Sequence, residues 1–179
     1  MPFVTFSGSY NRVTRDKDNI FLASDQGVSV LNALSLNEVS SISVSGGVND
    51  IFTEAGLNFV YLATTLSGIK AIEKFNLINP TITDPINNGL LKTLHTNCIH
   101  TDEESFLIGS ISGIDLFTSS AKFFYKTQST VTNCKLLNDS AYFSGAFGFS
   151  KIKNINTSGS WLNTTYTLTE NTYPSLFNN

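Results

Sequence analysis

IFLASDQGVSVL (residues 20–31), VYLATTLSGIKAI (60–72), SFLIGSISGIDLF (105–117) and AYFSGAFGFSKI (141–152) are four versions of one phrase. Each runs from an aromatic through a small-residue strand end to a glycine six or seven places on, then into a second alternating apolar strand. A glycine between two strand-forming runs marks a tight hairpin, because a left-handed backbone is cheap only without a Cβ. Each phrase is therefore read as a β-hairpin, and the chain as a repeat.

The anchoring aromatics Phe21, Tyr61, Phe106 and Tyr142 recur at intervals of 40, 45 and 36 residues, the length of one four-stranded propeller blade. Naming the strands of a blade A to D from the axis outward, the second repeat reads as strand A over 48–54, strand B over 59–65, a turn at Gly68 and strand C over 69–74. Strand D is expected near Leu90 to His95. The other repeats place strand A at 11–16, 97–101 and 133–138, and strand D at 38–44, 122–127 and 161–168. No window shows sustained helical spacing with caps. The fold class is therefore all-β, a β-propeller with four recognisable four-stranded blades in one domain over 1–179. Residues 75–89 break the repeat with two prolines and Asn-Asn-Gly, and read as an inserted surface loop, with a functional excursion as the alternative.

Alternation and recurrence place Phe21, Val28, Tyr61, Leu62, Ile69, Phe106, Leu107, Ile114, Tyr142, Phe143 and Phe149 in the core. Two extra strands are expected at the termini: VTFSGS (4–9) as a lone D strand and NTYPSLFNN (171–179) as another A strand. They would be the outermost and innermost strands of a fifth blade without its middle. Bare sheet edges are seldom left unpaired, so the chain is expected to be a segment of a longer polypeptide or to pair with copies of itself.

A net charge of −3, with eleven scattered basic residues, argues against nucleic acid, which needs clustered Lys and Arg to neutralise phosphates. No stretch approaches 18 apolar residues and the N-terminus lacks a signal-like pattern, so no membrane partner is expected. Asn (19), Ser (22) and Thr (20) form about a third of the chain, a polar but weakly charged surface that suits a protein packed among others. Cys98 and Cys134 each follow an Asn and read as matching positions of consecutive repeats. Free buried thiols are the expectation, a bridge or a modification site the alternative.

The segments Val48 to Glu54, Tyr61 to Thr64 and Gly68-Ile69, and again Ile99 to Glu104, Phe106 to Ser110 and Gly113-Ile114, resemble the sensor-type propeller repeats of bacterial two-component regulators. The likeness spans residues 11 to 154, with Phe or Tyr where those repeats usually carry Trp. It implies a ligand- or partner-binding scaffold and brings no catalytic residues.

His95, Cys98, His100 and Asp102 are all metal-ligand types. Same-face residues of a strand lie about 6–7 Å apart, too far to share one zinc, so no metal and no cofactor is expected. Asp16-Lys17-Asp18-Asn19 lacks the glycine and the distant Glu of a calcium loop. Phosphate-loop, dinucleotide, GxSxG and HExxH motifs are missing from the sequence, and the expectation is a protein that is not an enzyme.

The charge pattern says more. Asp16, Asp18, Glu54, Asp102, Glu103, Glu104 and Asp139 are seven of the fourteen acids and sit in or beside the A–B hairpins, against Lys17 alone among the basic residues. Topology puts all A–B hairpins at one end of a propeller, which is therefore expected to be an acidic docking rim. The opposite end, carrying Thr65, Ser67, Ser110, Ser112 and Gly46-Gly47, is expected to be nearly neutral. The function expected is a non-enzymatic structural or protein-interaction module, in a larger assembly such as a phage tail or virion by analogy of fold. A carbohydrate- or small-ligand-binding sensor propeller is the alternative.

Overall fold

A computed structural model describes residues 8–102, 104–119, 121–153 and 155 and the backbone of 162–166. Four antiparallel sheets follow one another, each a meander of four strands. Blade 1 is β1 (Arg12–Arg15), β2 (Asn19–Ser24), β3 (Gly27–Asn32) and β4 (Glu38–Ser43). Blade 2 is β5 (Val48–Phe52), β6 (Phe59–Thr64), β7 (Ile69–Glu73) and β8 (Ile82–Thr83). Blade 3 is β9 (Thr96–Thr101), β10 (Phe106–Ser110), β11 (Gly113–Phe117) and β12 (Lys122–Lys126). Blade 4 is β13 (Val131–Leu137), β14 (Ser140–Gly145), β15 (Gly148–Lys153) and β16 (Leu162–Tyr166). The strand expected over 161–168 is thus the outer strand of blade 4, paired to β15. Residues 4–7 and 171–179, which carry the two terminal expectations, lie outside the described residues.

Each hairpin turns where the sequence repeats. Ser24, Thr64 and Ser110 donate their hydroxyls to the carbonyls of Gly27, Gly68 and Gly113 at 3.3, 2.9 and 3.1 Å. At Gly113 (φ +146°) a Cβ would meet the Tyr125 carbonyl oxygen at 2.2 Å, so only glycine fits the turn.

A β-strand presents alternate residues to opposite faces, so each blade has one face toward the preceding blade and one toward the next. Phe21, Ala23, Val28 and Val30 of blade 1 bury against Val60, Leu62 and Ile72 of blade 2. Tyr61, Ala63, Ile69 and Ala71 on the far face of blade 2 meet Ile99 and Ile108 of blade 3. Leu107, Ile114 and Leu116 of blade 3 close on Ala141, Phe143 and Ile152 of blade 4. The three cores therefore lie between blades, not within one sheet.

This arrangement corrects the alignment of the third repeat. Counting back from the turn hydroxyls, Phe21 and Tyr61 are equivalent to Leu107, not to Phe106. Phe106 lies on the opposite face, and its ring meets Tyr61 edge-on at 5.4 Å, which equivalent residues of two blades could not do. The mismatch arose because the turn of blade 2 (Thr65-Leu66-Ser67) has one residue more than that of blade 3 (Ile111-Ser112). Of the eleven expected core residues, Phe106, Tyr142 and Phe149 are only half-buried, and the rest are buried.

Strand D of blade 2 also moves. It is Ile82–Thr83, inside the segment read as an insertion, and it pairs with Ile72 and Ala71. Beyond it the side chain of Asn88 takes the place of a strand: Ile69 N donates to its Oδ1 at 2.9 Å and its Nδ2 donates to Ile69 O at 3.0 Å. With that edge already satisfied, residues 90–95 are free to bridge blades. Gly68 N donates to Leu94 O at 3.1 Å, and Lys92 N donates to Asp115 Oδ2 of blade 3 at 3.2 Å.

Phe21 and Phe143 are fully buried, whereas Phe106 keeps a solvent-facing edge. Phe21→Ala and Phe143→Ala are each expected to cost about 3–5 kcal/mol in urea unfolding, and Phe106→Ala only about 1–2 kcal/mol. Equal losses at Phe21 and Phe106 would restore the sequence alignment over the structural one.

Candidate docking surface at the hairpin end

In an antiparallel meander the A–B and C–D connections lie at one end and the B–C turns at the other. The structure therefore brings Asp16, Asp18, Glu54, Asp102, Glu104 and Asp139 to one end of all four blades; Glu103 lies outside the described residues. Their roles differ. Asp16 Oδ1 accepts from the amides of Asp18 and Asn19 at 3.1 and 3.0 Å, which builds the β1–β2 turn. Its Oδ2 lies 3.5 Å from Lys74 Nζ, both side chains nearly covered. The same ammonium donates to Glu54 O at 2.6 Å, so Lys74 ties the first two hairpins together. Asp102 Oδ1 accepts from Ser105 N at 2.8 Å and caps the β9–β10 turn.

Asp18, Glu54, Asp102 and Glu104 are exposed, while Asp16 and Asp139 are half-buried. Three blades thus present acids to solvent; Lys74 is already engaged, and Lys17 is exposed in the same hairpin as Asp18.

Sequence reasoning missed the apolar component of this end. Leu34, in the C–D connection of blade 1, is 89% exposed, and Phe75 and Ile78, in that of blade 2, are each 78% exposed. The signal was present: Phe75 and Ile78 stand in a polar, proline-bounded loop with no alternating partner to bury them.

The opposite end departs from expectation in two ways. Ser110 is fully buried in its turn, and Leu66, Ile111 and Leu94 are exposed there beside Asp25 in the turn of blade 1, so that end is not merely hydroxylated. An open cavity of about 530 Å³ lies beside it, lined by Ser67, Lys70, Asp84, Asn88 and residues 89 and 91–94. Two of its charges pair, Lys70 Nζ with Asp84 Oδ1 at 2.6 Å, and Lys92 is the third charged residue of the lining.

Near the axis, Arg12 Nε donates to Asp50 Oδ1 at 2.8 Å and Arg12 Nη2 to Asn133 Oδ1 at 3.0 Å. Asp50 also accepts from the amides of Ile99 and Ile51 at 3.1 and 2.9 Å. Burial raises the Asp50 carboxyl above its ordinary range, against the pull of Arg12 and the two amides, and the carboxylate raises Arg12 in turn. The residues weighed as metal ligands do not assemble: among the described residues no three of His, Cys, Asp and Glu gather to hold an ion. His100 instead packs its ring against that of Phe52, centroids 4.2 Å apart and planes tilted by 38°.

No family model matches the sequence, and no curated protein matches it. Solved structures do. The computationally designed Ika4 protein superposes with a TM-score of 0.64 at 10% identity, over 80% of this chain and 89% of Ika4. The designed Ika8 protein gives 0.64 at 11% identity, over 84% of this chain and 46% of Ika8. Sqt1 of Saccharomyces cerevisiae gives 0.61 at 15% identity, over 80% of this chain and 44% of Sqt1. The chain thus spans about half the length of Ika8 and Sqt1. None of these is a two-component sensor, so that resemblance rests on the short motifs alone. At such low identities the likeness carries fold and not function, and the fold is that of a β-propeller repeat protein.

Burial, then Lys135, lowers the His100 imidazole from 6.5 to about 4, with Asp102 opposing. An imidazole that protonates more readily unfolded than folded contributes fully above its unfolded value, and that contribution is lost as pH falls from 6.5 toward about 4. Wild-type stability is therefore expected to decline across this window by up to about 3 kcal/mol more than that of His100→Phe. Parallel urea-midpoint profiles for the two proteins would contradict this.

Proposed function

We propose that this chain is a protein-interaction module that docks through its hairpin end onto a basic partner with an apolar face. The observation that carries the reading is the coincidence, at one end, of exposed acids from three blades with protruding Leu34, Phe75 and Ile78. Acids distributed over several loops create a field that steers a cationic partner, while uncovered apolar side chains supply the short-range burial that holds it. Propellers suit such a role because their loops from successive blades share one rigid end. No residue is assigned to catalysis. A polar, weakly charged composition fits a module among other proteins, and a larger assembly such as a virion or phage tail is the setting proposed for it.

The two contributions separate kinetically. Asp18→Lys, Glu54→Lys and Glu104→Lys together spare the turn-building Asp16 and Asp102. With a lysine–leucine amphipathic peptide as probe, the triple variant is expected to associate about tenfold more slowly and to lose most of its salt dependence. Phe75→Ser with Ile78→Ser is expected instead to speed dissociation. Unchanged association and salt dependence in the triple variant would reduce the acids to a solubility feature.

A further inference from the structure

The first two junctions between blades each carry a tie at one inner-strand position. By pairing register, Arg12, Asp50 and Cys98 are equivalent: each lies opposite the last small residue of its B strand (Ala23, Ala63 and Gly109) and faces the next blade. Arg12 ties to Asp50 across the first junction, and Asp50 accepts from Ile99 N across the second. Cys98 occupies this place at the third junction.

Cys134 is not its equivalent, although both follow an Asn. The inner strand of blade 4 is shifted by one residue, so Cys134 lies opposite Phe143, as Ile99 lies opposite Ile108, and faces back toward blade 3. The two sulfurs converge on the same stretch of β10. Cys134 Sγ donates to Leu107 O at 3.6 Å, and a Cβ on Gly109 would fall 2.4 Å from Cys98 Sγ. Burial, then the neighbouring Cys134 thiol, raises the Cys98 thiol above its ordinary value. Cys98 is 1% exposed and Cys134 is half-buried, both within the core between blades 3 and 4.

We propose that Cys98 and Cys134 are an oxidant-responsive pair that forms a disulfide fastening blade 3 to blade 4. Burial holds the Cys98 thiol well above its ordinary value, so the more accessible Cys134 reacts first. With hydrogen peroxide as oxidant, the Cys134 sulfur takes one peroxide oxygen, the O–O bond breaks, and one water leaves with a sulfenic acid in place. The Cys98 sulfur then attacks the Cys134 sulfur, the S–O bond breaks, and the hydroxyl leaves as a second water with the Cys98 proton. Two thiols lose two hydrogens in all, and the peroxide takes up both electrons.

The test treats the folded full-length chain with hydrogen peroxide, then alkylates in denaturant and measures intact mass. The expected result is the loss of two hydrogens and of both alkylation sites in the monomer, reversed by dithiothreitol and formed faster in native buffer than in urea. Cys98→Ser is expected to stop at a dimedone-trappable sulfenic acid on Cys134, and Cys134→Ser to leave Cys98 unreacted. Two alkylatable thiols after native oxidation, a bridge only between chains, or crosslinking no faster than in urea would each overturn the proposal. None of these readouts depends on the hairpin end.

Discussion

The constraint on which the rest of the structure depends is a buried carbonyl at the head of the inner strand in blades 2, 3 and 4. In blades 2 and 3 a bulge drops Asn49 and Asn97 out of register with the neighbouring strand, and in blade 4 a bulge displaces Thr132. A bulge frees backbone groups from the ladder, and a buried carbonyl without a donor is costly. The preceding blade supplies the donor: Asn11 Nδ2 reaches Val48 O at 2.9 Å, Asn49 Nδ2 reaches Thr96 O at 2.8 Å and Asn97 Nδ2 reaches Val131 O at 3.2 Å. The same amide fixes both the spacing and the order of the blades. The apolar faces then close from that point outward.

The fourth blade breaks the pattern. At the latch position stands Thr132, which bonds within its own blade, to Ser144 O at 3.3 Å. Its forward face carries Lys151 where blades 1 to 3 bury Val30, Ala71 and Leu116, and Lys135 where they carry Thr14, Phe52 and His100. Lys151 lies 4.7 Å from the centre of the Tyr142 ring, which stacks on Phe149. A lysine over an aromatic pair covers that face without needing an apolar neighbour. The outer side of blade 4 is therefore more polar than the corresponding faces of blades 1 to 3.

The repeat, and with it the blade, was legible because strand alternation and turn glycines are local signals. What failed to read out was register. The spacing to the glycine made Phe106 look like Tyr61, and the shared Asn-Cys pair made Cys134 look like Cys98; in both cases a one-residue difference turned a side chain to the opposite face. Nor could propensity place strand D of blade 2. A two-residue strand followed by an Asn side chain acting as a surrogate strand has no sequence periodicity at all. Of the docking end, the acids were visible as a charge pattern, yet which of them are consumed in turns depended on geometry: Asp16 and Asp102 cap hairpins, while Asp18, Glu54 and Glu104 do not.

The account rests most heavily on the claim that side-chain amides at the strand heads set each blade against the next. Hydrogen exchange of Asn49→Ala tests it directly, because the side chain bonds across only the junction of blades 2 and 3, its other partner being the Thr65 hydroxyl in the turn of its own blade. The account predicts faster exchange in β5 and β9, with β2 and β3 of blade 1 and β14 and β15 of blade 4 still protected. Unchanged protection everywhere, or an even loss across all four blades, would contradict it.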